Sequence, residues 1–126
     1  MKVGIIGFGS IGTEVARALI NGIENFTLKG IVSRSKENAK KRISLLKHEI
    51  TIYDLDNIIK ESDIIIDCAP KEAFRNIAVR CIKSQKPLIT VSGAGILDNL
   101  DLKEMAKENS TQIILATGAI LGLDAL

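Results

Sequence analysis

Three glycines near the N-terminus have the spacing of a phosphate-binding turn. They lie between an apolar run that predicts a strand, Lys2–Ile6, and a predicted helix, Ser10–Ile20, in the segment Gly7-Phe8-Gly9-Ser10-Ile11-Gly12. In such a unit the first glycine permits the tight turn, the second admits a pyrophosphate close to the backbone, and the third lets the helix pack near the strand. The positive N-terminal end of the helix then binds the pyrophosphate.

Glycines also punctuate ordinary turns, so the pattern gains its meaning from the strand and helix around it. A second apolar run, Phe26–Val32, completes a βαβ unit. The sequence therefore predicts dinucleotide binding, with the pyrophosphate at Gly7, Gly9, Ser10, Ile11 and Gly12.

The residues after the second apolar run bear on which dinucleotide is bound. An NAD-selective site usually has an acid here, which accepts a hydrogen bond from the ribose 2′-hydroxyl. This chain has Ser33 and Arg34 instead, followed by Ser35 and Lys36. A guanidinium pairs with a 2′-phosphate that a carboxylate would repel. We expect NADP, or both NADP and NAD, rather than strict NAD; the alternative is that Arg34 is a solvated charge at a strand end.

Strands and helices continue to alternate along the chain, which predicts a doubly wound parallel α/β sheet of the Rossmann type. The predicted strands are nearly all apolar, as expected when helices cover both faces of the sheet. Later predicted strands are Ile50–Tyr53, Asp63–Cys68, Leu88–Val91 and Gln112–Ala116, and later helices are Lys36–Leu46, Leu55–Lys60, Lys71–Lys83 and Leu100–Asn109. Asp54 is the expected cap of the third helix, and Asp98 or Asn99 that of the last.

Composition excludes several classes of function. The chain has 126 residues, 46% hydrophobic, enough for one domain. Aromatic residues make up 3% and the net charge is +2, which argues against nucleic-acid and anionic-membrane partners. Cys68 and Cys81 form no C-x-x-C pair, and no segment has signal-peptide or membrane-span character. We expect a cytoplasmic protein with reduced thiols and no metal site.

Four short segments, spread over the length of the chain, form a recognisable pattern. They are residues 3–12, Asp67-Cys68-Ala69, Val91-Ser92-Gly93-Ala94, and Thr117-Gly118-Ala119-Ile120-Leu121-Gly122-Leu123-Asp124-Ala125-Leu126. Together they resemble the L-aspartate dehydrogenase family. The closing segment is the most specific, because it matches the family's G-A-I-x-G-L-D-A-L signature, whereas a glycine-rich first turn occurs in many dehydrogenases.

This resemblance implies a homodimeric enzyme for NAD(P)-dependent oxidative deamination of L-aspartate to iminoaspartate, or oxaloacetate and ammonia, near pyridine-nucleotide biosynthesis. It places Ala119 against the cofactor and Ala69 and Ser92 near the nicotinamide, and we assign Cys68, the neighbour of Ala69, to the same side. It divides the chain into a cofactor domain, residues 1–116, and the incomplete start of a catalytic and dimerisation domain, residues 117–126. The family's catalytic histidine lies in that second domain, so we expect this chain to bind cofactor without turnover.

Other residues have simpler structural interpretations. His48, the single histidine, is expected to be exposed or capping rather than catalytic. Cys68 is expected to be a structural thiol rather than a nucleophile. Asp63 and Asp67 are expected to bind backbone amides rather than to act as an acid–base pair.

Three alternatives remain open. One is a homoserine-dehydrogenase-like or sugar-oxidoreductase-like enzyme with the same fold. Another is a non-catalytic dinucleotide sensor. The third is an isolated fragment with an exposed, apolar C-terminal segment.

Overall fold

The computed structural model describes residues 1–116 of the chain. Its strands are β1 (Lys2–Ile6), β2 (Thr27–Val32), β3 (Ile64–Asp67), β4 (Leu88–Thr90) and β5 (Ile113–Leu115). Its helices are α1 (Ser10–Asn21), α2 (Lys36–Leu46), α3 (Leu55–Glu61), α4 (Phe74–Lys83), α5 (Gly93–Asp98) and α6 (Asp101–Glu108), with a 3₁₀ turn at Lys71–Ala73. Ala119 and the predicted start of a second domain lie outside the described residues.

The strands form one parallel sheet in the order β2-β1-β3-β4-β5. Outside β2, Ile52 forms a single parallel bridge with Ile31. With that bridge in the position of a third strand, the order becomes the 3-2-1-4-5-6 of dinucleotide-binding sheets. Between β1 and β3 the order in which strands are added to the sheet changes direction, so the carboxyl ends of those two strands flank the expected ligand crevice.

The predicted strand Ile50–Tyr53 is wrong, because only this bridge forms there. Ile31 N donates to Thr51 O at 3.0 Å, and Tyr53 N donates to Ile31 O at 2.7 Å. The next residue, Asp54, already caps α3 by accepting from Asn57 N at 2.8 Å, as predicted. The early start of α3 draws the chain away from the sheet edge before further pairs can form.

Two apolar cores cover the two faces of the sheet. On one face Val15, Ala16 and Leu19 of α1 and Ala39 of α2 pack against side chains of β1, β2 and β3. On the other face α3, α4, α5 and α6 supply a second cluster, which comprises Ile58, Ile59, Phe74, Ile77, Ala78, Cys81, Ile82, Ile96, Leu102 and Ala106. Helices on both faces explain why the strands are almost wholly apolar, and the predicted doubly wound fold is confirmed.

Between the predicted strand Leu88–Val91 and the predicted last helix, the structure contains α5, which the sequence analysis did not predict. A Cβ on Gly95 would lie 2.7 Å from the Phe74 ring, so this glycine allows close packing of the helix. The predicted cap of α6 is wrong as well, since its N-cap is Leu100 and no side chain bonds there. Asn99 instead donates to Gly95 O at 2.9 Å and accepts from Arg75 at 2.9 Å.

Candidate functional site: a dinucleotide cleft

The three glycines of the first turn have three different steric roles. Gly7 has φ +91°, and a Cβ there would lie 2.7 Å from Ala69 N, so the turn needs glycine both for conformation and for space. A Cβ on Gly12 would collide with the carbonyl oxygen of Gly7. A Cβ on Gly9 would meet no atom within 4 Å. Gly7 and Gly12 are thus required by the protein's own packing, whereas Gly9 faces open space.

The N-terminus of α1 has the features of an anion site. Its N-cap is Gly9, no side chain bonds the end of the helix, and its first turn has no acid. The first helical bond runs from Thr13 N to Gly9 O at 2.9 Å, which leaves the N–H groups of Ser10, Ile11 and Gly12 without intrahelical acceptors. By contrast, hydroxyl or carboxyl oxygens of Ser35, Asp54 and Ser92 accept hydrogen bonds at the starts of α2, α3 and α5.

A cleft of about 640 Å³ opens at the carboxyl ends of β1, β2 and β3. Its volume is in the range of small-molecule and cofactor sites. Seven of the predicted site residues line it, namely Gly7, Gly9, Ile11, Ser33, Arg34, Cys68 and Ala69. Ser10 and Gly12 belong to the adjoining first turn of α1, and Ser92 lies outside the cleft lining.

A buried carboxylate organises the far wall of the cleft. Asp67 is fully buried, and its two oxygens accept from Ala69 N at 2.9 Å and Thr90 Oγ1 at 2.8 Å. Thr90 Oγ1 in turn accepts from Ser92 N at 3.0 Å. Burial raises the pKa of Asp67, while the two hydrogen bonds oppose that rise. The predicted bond of Asp67 to a loop amide is confirmed, and the network fixes the loops after β3 and β4 relative to each other.

The other acid of the predicted pair is remote from this network. Asp63 is exposed and accepts from Lys2 N at 2.7 Å, which lowers its pKa. It therefore secures the entry to β3, as expected, and the two carboxylates have separate structural roles.

Cys68 and Ser92 differ in their relation to the cleft. Burial, reinforced by the charge of Asp67, raises the pKa of the Cys68 thiol to about 12, so the thiol stays protonated at neutral pH and is a poor nucleophile. Cys68 N donates to Ile6 O at 2.7 Å, which continues the β1–β3 pairing to the rim of the cleft. The Ser92 hydroxyl accepts from Gly95 N at 2.9 Å as the cap of α5.

At the end of the cleft where the ribose is expected, near Ser33 and Arg34, the lining includes residues that the sequence analysis did not predict. Besides Ser33, Arg34 and Ser35, the cleft is lined by Asn38 and Arg42 of α2. These two are four residues apart and therefore share one face of the helix. Lys36, Lys40 and Lys41 are exposed and do not line the cleft, so the basic residues of this helix divide into solvated lysines and one arginine in the cleft. The sequence signal that could have identified them is the four-residue spacing of Asn38 and Arg42 in the helix that follows Ser35.

Three further observations bound the chemistry of the site. His48 is exposed and does not line the cleft. Within residues 1–116 no group of three His, Cys, Asp or Glu side chains is arranged to hold a metal ion. Over the same residues, no helix combines the length and apolarity needed to cross a membrane.

Comparison with known proteins agrees with this geometry. Residues 7–116 match the family described as "Homoserine dehydrogenase, NAD binding domain". An L-aspartate dehydrogenase of Bradyrhizobium diazoefficiens is 36% identical over 126 residues, covering 100% of this chain and 45% of that protein. One of Methanocella arvoryzae is 30% identical over 128 residues, covering 99% of this chain and 47% of that protein. The chain thus spans just under half the length of these curated relatives.

A solved structure supports the fold alone. Biliverdin reductase from Synechocystis, determined with biliverdin and NADP+, superposes with a TM-score of 0.81 at 16% identity, covering 95% of this chain and 39% of that one. The expected nicotinamide dinucleotide cofactor and the resemblance to L-aspartate dehydrogenases are confirmed at the level of the family. The chain belongs to the NAD-binding-domain family of the homoserine dehydrogenases, and over its whole length it is similar to L-aspartate dehydrogenases.

Proposed function

We propose that this chain is the cofactor-binding part of an NADP(H)-dependent L-aspartate dehydrogenase. The observation that carries the proposal is the charge of the cleft: its described lining includes Arg34 and Arg42 and no aspartate or glutamate. A 2′-phosphate favours such a lining, whereas an NAD site usually offers an acid to the 2′-hydroxyl. L-Aspartate as substrate is supported by the names of relatives that align with 99–100% of the chain.

The residues of the cleft fit a dinucleotide. Open space over Gly9 and the uncapped end of α1 suit a pyrophosphate, which would accept from the N–H groups of the first turn. Arg34 would pair with the 2′-phosphate, and Ser33 would adjoin the ribose. On the nicotinamide side we assign Cys68 and Ala69 from the cleft, and Ser92 and Ala119 from the family resemblance.

The bound cofactor would accept a hydride from the carbon that bears the amino group of the substrate. The described residues bind and orient: Asp67 fixes the Ala69 amide, and the protonated Cys68 thiol adds an uncharged surface. We propose that residues 117–126 lead into a second domain that provides the catalytic histidine and the dimer interface. The chain alone would then bind cofactor without turnover. The two free cysteines are consistent with the cytoplasm.

A second candidate is favoured by the description of the matching family, which names homoserine dehydrogenase. The two functions share the cofactor cleft and differ in substrate. Steady-state assays of the protein with its following domain, on L-aspartate and on L-homoserine, separate them. A non-catalytic sensor predicts tight cofactor binding and activity on neither substrate.

The first experiment is a titration of the chain with NADPH and with NADH. The chain has no tryptophan, so the fluorescence of the reduced nicotinamide reports binding directly. We expect NADPH to bind about tenfold more tightly, a difference of about 1.4 kcal/mol, and Arg34→Asp to abolish that preference. Lys103→Asp is the matched control, because Lys103 is exposed on α6, outside the cleft, and its reversal changes the net charge equally. Equal or NADH-favoured binding by the unaltered chain would refute the NADP assignment.

A further inference from the structure

The five arginines of the chain fall into two groups. Arg17, Arg75 and Arg80 pair with Glu14, Asp101 and Asp56 at 3.4, 2.9 and 2.6 Å. Among residues 1–116, the two arginines that form no ion pair are Arg34 and Arg42, and both line the dinucleotide cleft. Arginine is almost always charged, so the protein leaves two guanidinium groups without a carboxylate partner on one surface.

Arg42 is placed by the helix rather than by the loop that carries Arg34. The Ser35 hydroxyl accepts from Asn38 N at 3.2 Å and fixes the start of α2. Buried Ala39 anchors the helix to the core beneath the sheet. The residues on the cleft side of α2 are Asn38 and, one turn later, the partly buried Arg42. Arg42 therefore reaches the cleft from a helix rather than from a loop.

The neighbouring serine hydroxyls are already engaged in the loop. Ser33 Oγ donates to Ser35 O at 3.1 Å and lies 3.3 Å from Ser35 N, while Ser35 Oγ caps α2. These bonds shape the loop and engage hydroxyl groups that could otherwise donate hydrogen bonds to an anion. The positive charge that would balance a phosphate dianion comes from the two arginines. A bidentate guanidinium also binds phosphate more strongly than a neutral hydroxyl does.

We propose that Arg42 is a second specificity-determining residue, which binds the 2′-phosphate of NADP(H) from α2 together with Arg34, so that the two arginines form a clamp. The inference rests on the proposed function and adds a residue to it. The adjacent Lys41, which is exposed and outside the cleft, has no part in the clamp. The ligand class is a ribose 2′-phosphate, and the recognition is by fork-shaped hydrogen bonds rather than by net charge alone.

The test compares Arg42→Gln with Lys41→Gln, which remove one positive charge each from adjacent positions of α2. Dissociation constants are measured by calorimetry for NADPH, NADH, 2′,5′-ADP and 5′-AMP, with circular dichroism as the control for folding. We expect Arg42→Gln to raise the dissociation constants of NADPH and 2′,5′-ADP about tenfold, as for loss of a charged hydrogen bond. The dissociation constants of NADH and 5′-AMP should change less than about twofold. Lys41→Gln should bind all four ligands as the unaltered chain does.

The outcomes separate the clamp from the function it rests on. If Arg42→Gln and Lys41→Gln weaken NADPH equally, or Arg42→Gln weakens NADH as much as NADPH, the clamp is refuted. If Arg34→Asp abolishes the NADPH preference and Arg42→Gln leaves it unchanged, the proposed function stands and the clamp fails. If the folded, unaltered chain binds neither dinucleotide, both fail. Arg42→Lys, which keeps the charge and loses the fork, should recover only part of the affinity.

Discussion

The two ends of the cleft are built in opposite ways. At the pyrophosphate end, Gly7, Gly9 and Gly12 remove side chains so that the backbone itself can approach a ligand. At the ribose end, a loop and a helix add Arg34 and Arg42 to the lining. In the proposed complex, the first end would bind through fixed N–H groups that suit any dinucleotide, and the second through guanidinium groups that would distinguish NADP from NAD.

The difference teaches where each end is vulnerable. Adding atoms should harm the glycine turn, and removing atoms should harm the arginine end. Within the turn, an added side chain should affect stability at Gly12, which faces the protein, and ligand binding at Gly9, which faces open space. Two predictions test this contrast, and a third concerns the buried acid that holds the loops after β3 and β4.

The largest effect should come from Gly12→Ala. The new Cβ would collide with the Gly7 carbonyl oxygen, which is backbone and cannot rotate away. We expect the free energy of unfolding to fall by about 3 kcal/mol, the upper part of the range for overpacking. Urea denaturation measures it. Gly93→Ala is the matched control, because its Cβ would have its nearest neighbour at 3.9 Å; equal losses in the two variants would contradict the steric assignment.

Gly9→Ala should separate binding from stability. Its φ of −89° suits alanine and its Cβ would enter open space, so the free energy of unfolding should change by less than about 1 kcal/mol. The same Cβ would occupy the position that a pyrophosphate needs, and NADPH should bind at least about tenfold more weakly, roughly 1.4 kcal/mol. NADH should lose the same factor, because both dinucleotides share the pyrophosphate. Unchanged binding would show that the ligand does not approach this turn.

The smallest effect concerns Asp67, the buried acid that bonds Ala69 N and Thr90 Oγ1. Because burial raises the pKa of Asp67, its protonated form favours the folded state. That stabilisation is fully present below the unfolded value near 3.8 and is lost as pH rises through the raised pKa. The free energy of unfolding of the unaltered chain, compared with that of Asp67→Asn, should therefore fall as pH rises from about 3 to 7.

Asp63→Asn is the control of opposite sign for this measurement. The bond from Lys2 N lowers the pKa of Asp63, so its contribution is present above pH 3.8 and is lost as pH falls through the lowered value. The difference between the unaltered chain and Asp63→Asn should grow with pH. Parallel slopes for the two variants would contradict the assigned directions.

Local signals predicted the features that depend on local physics. The glycine spacing, the apolar strands and the cap at Asp54 were readable, because turn conformation, strand burial and N-caps depend on a few adjacent residues. The failures have different causes. The strand predicted at Ile50–Tyr53 is reduced to a bridge because α3 begins directly after it. Helix α5 packs through Gly95 against Phe74, which is distant in sequence, so its neighbouring residues did not predict it.

The sequence by itself determined the fold class, the glycine turn and the absence of an acid after the second strand, since each is written in neighbouring residues. Tertiary structure alone decided which charges face the cleft. Four basic residues of α2, Lys36, Lys40, Lys41 and Arg42, look alike in the sequence, yet only Arg42 lines the site. The rotation of the helix about its axis makes that choice, and it is set by the packing of Ala39 against the core.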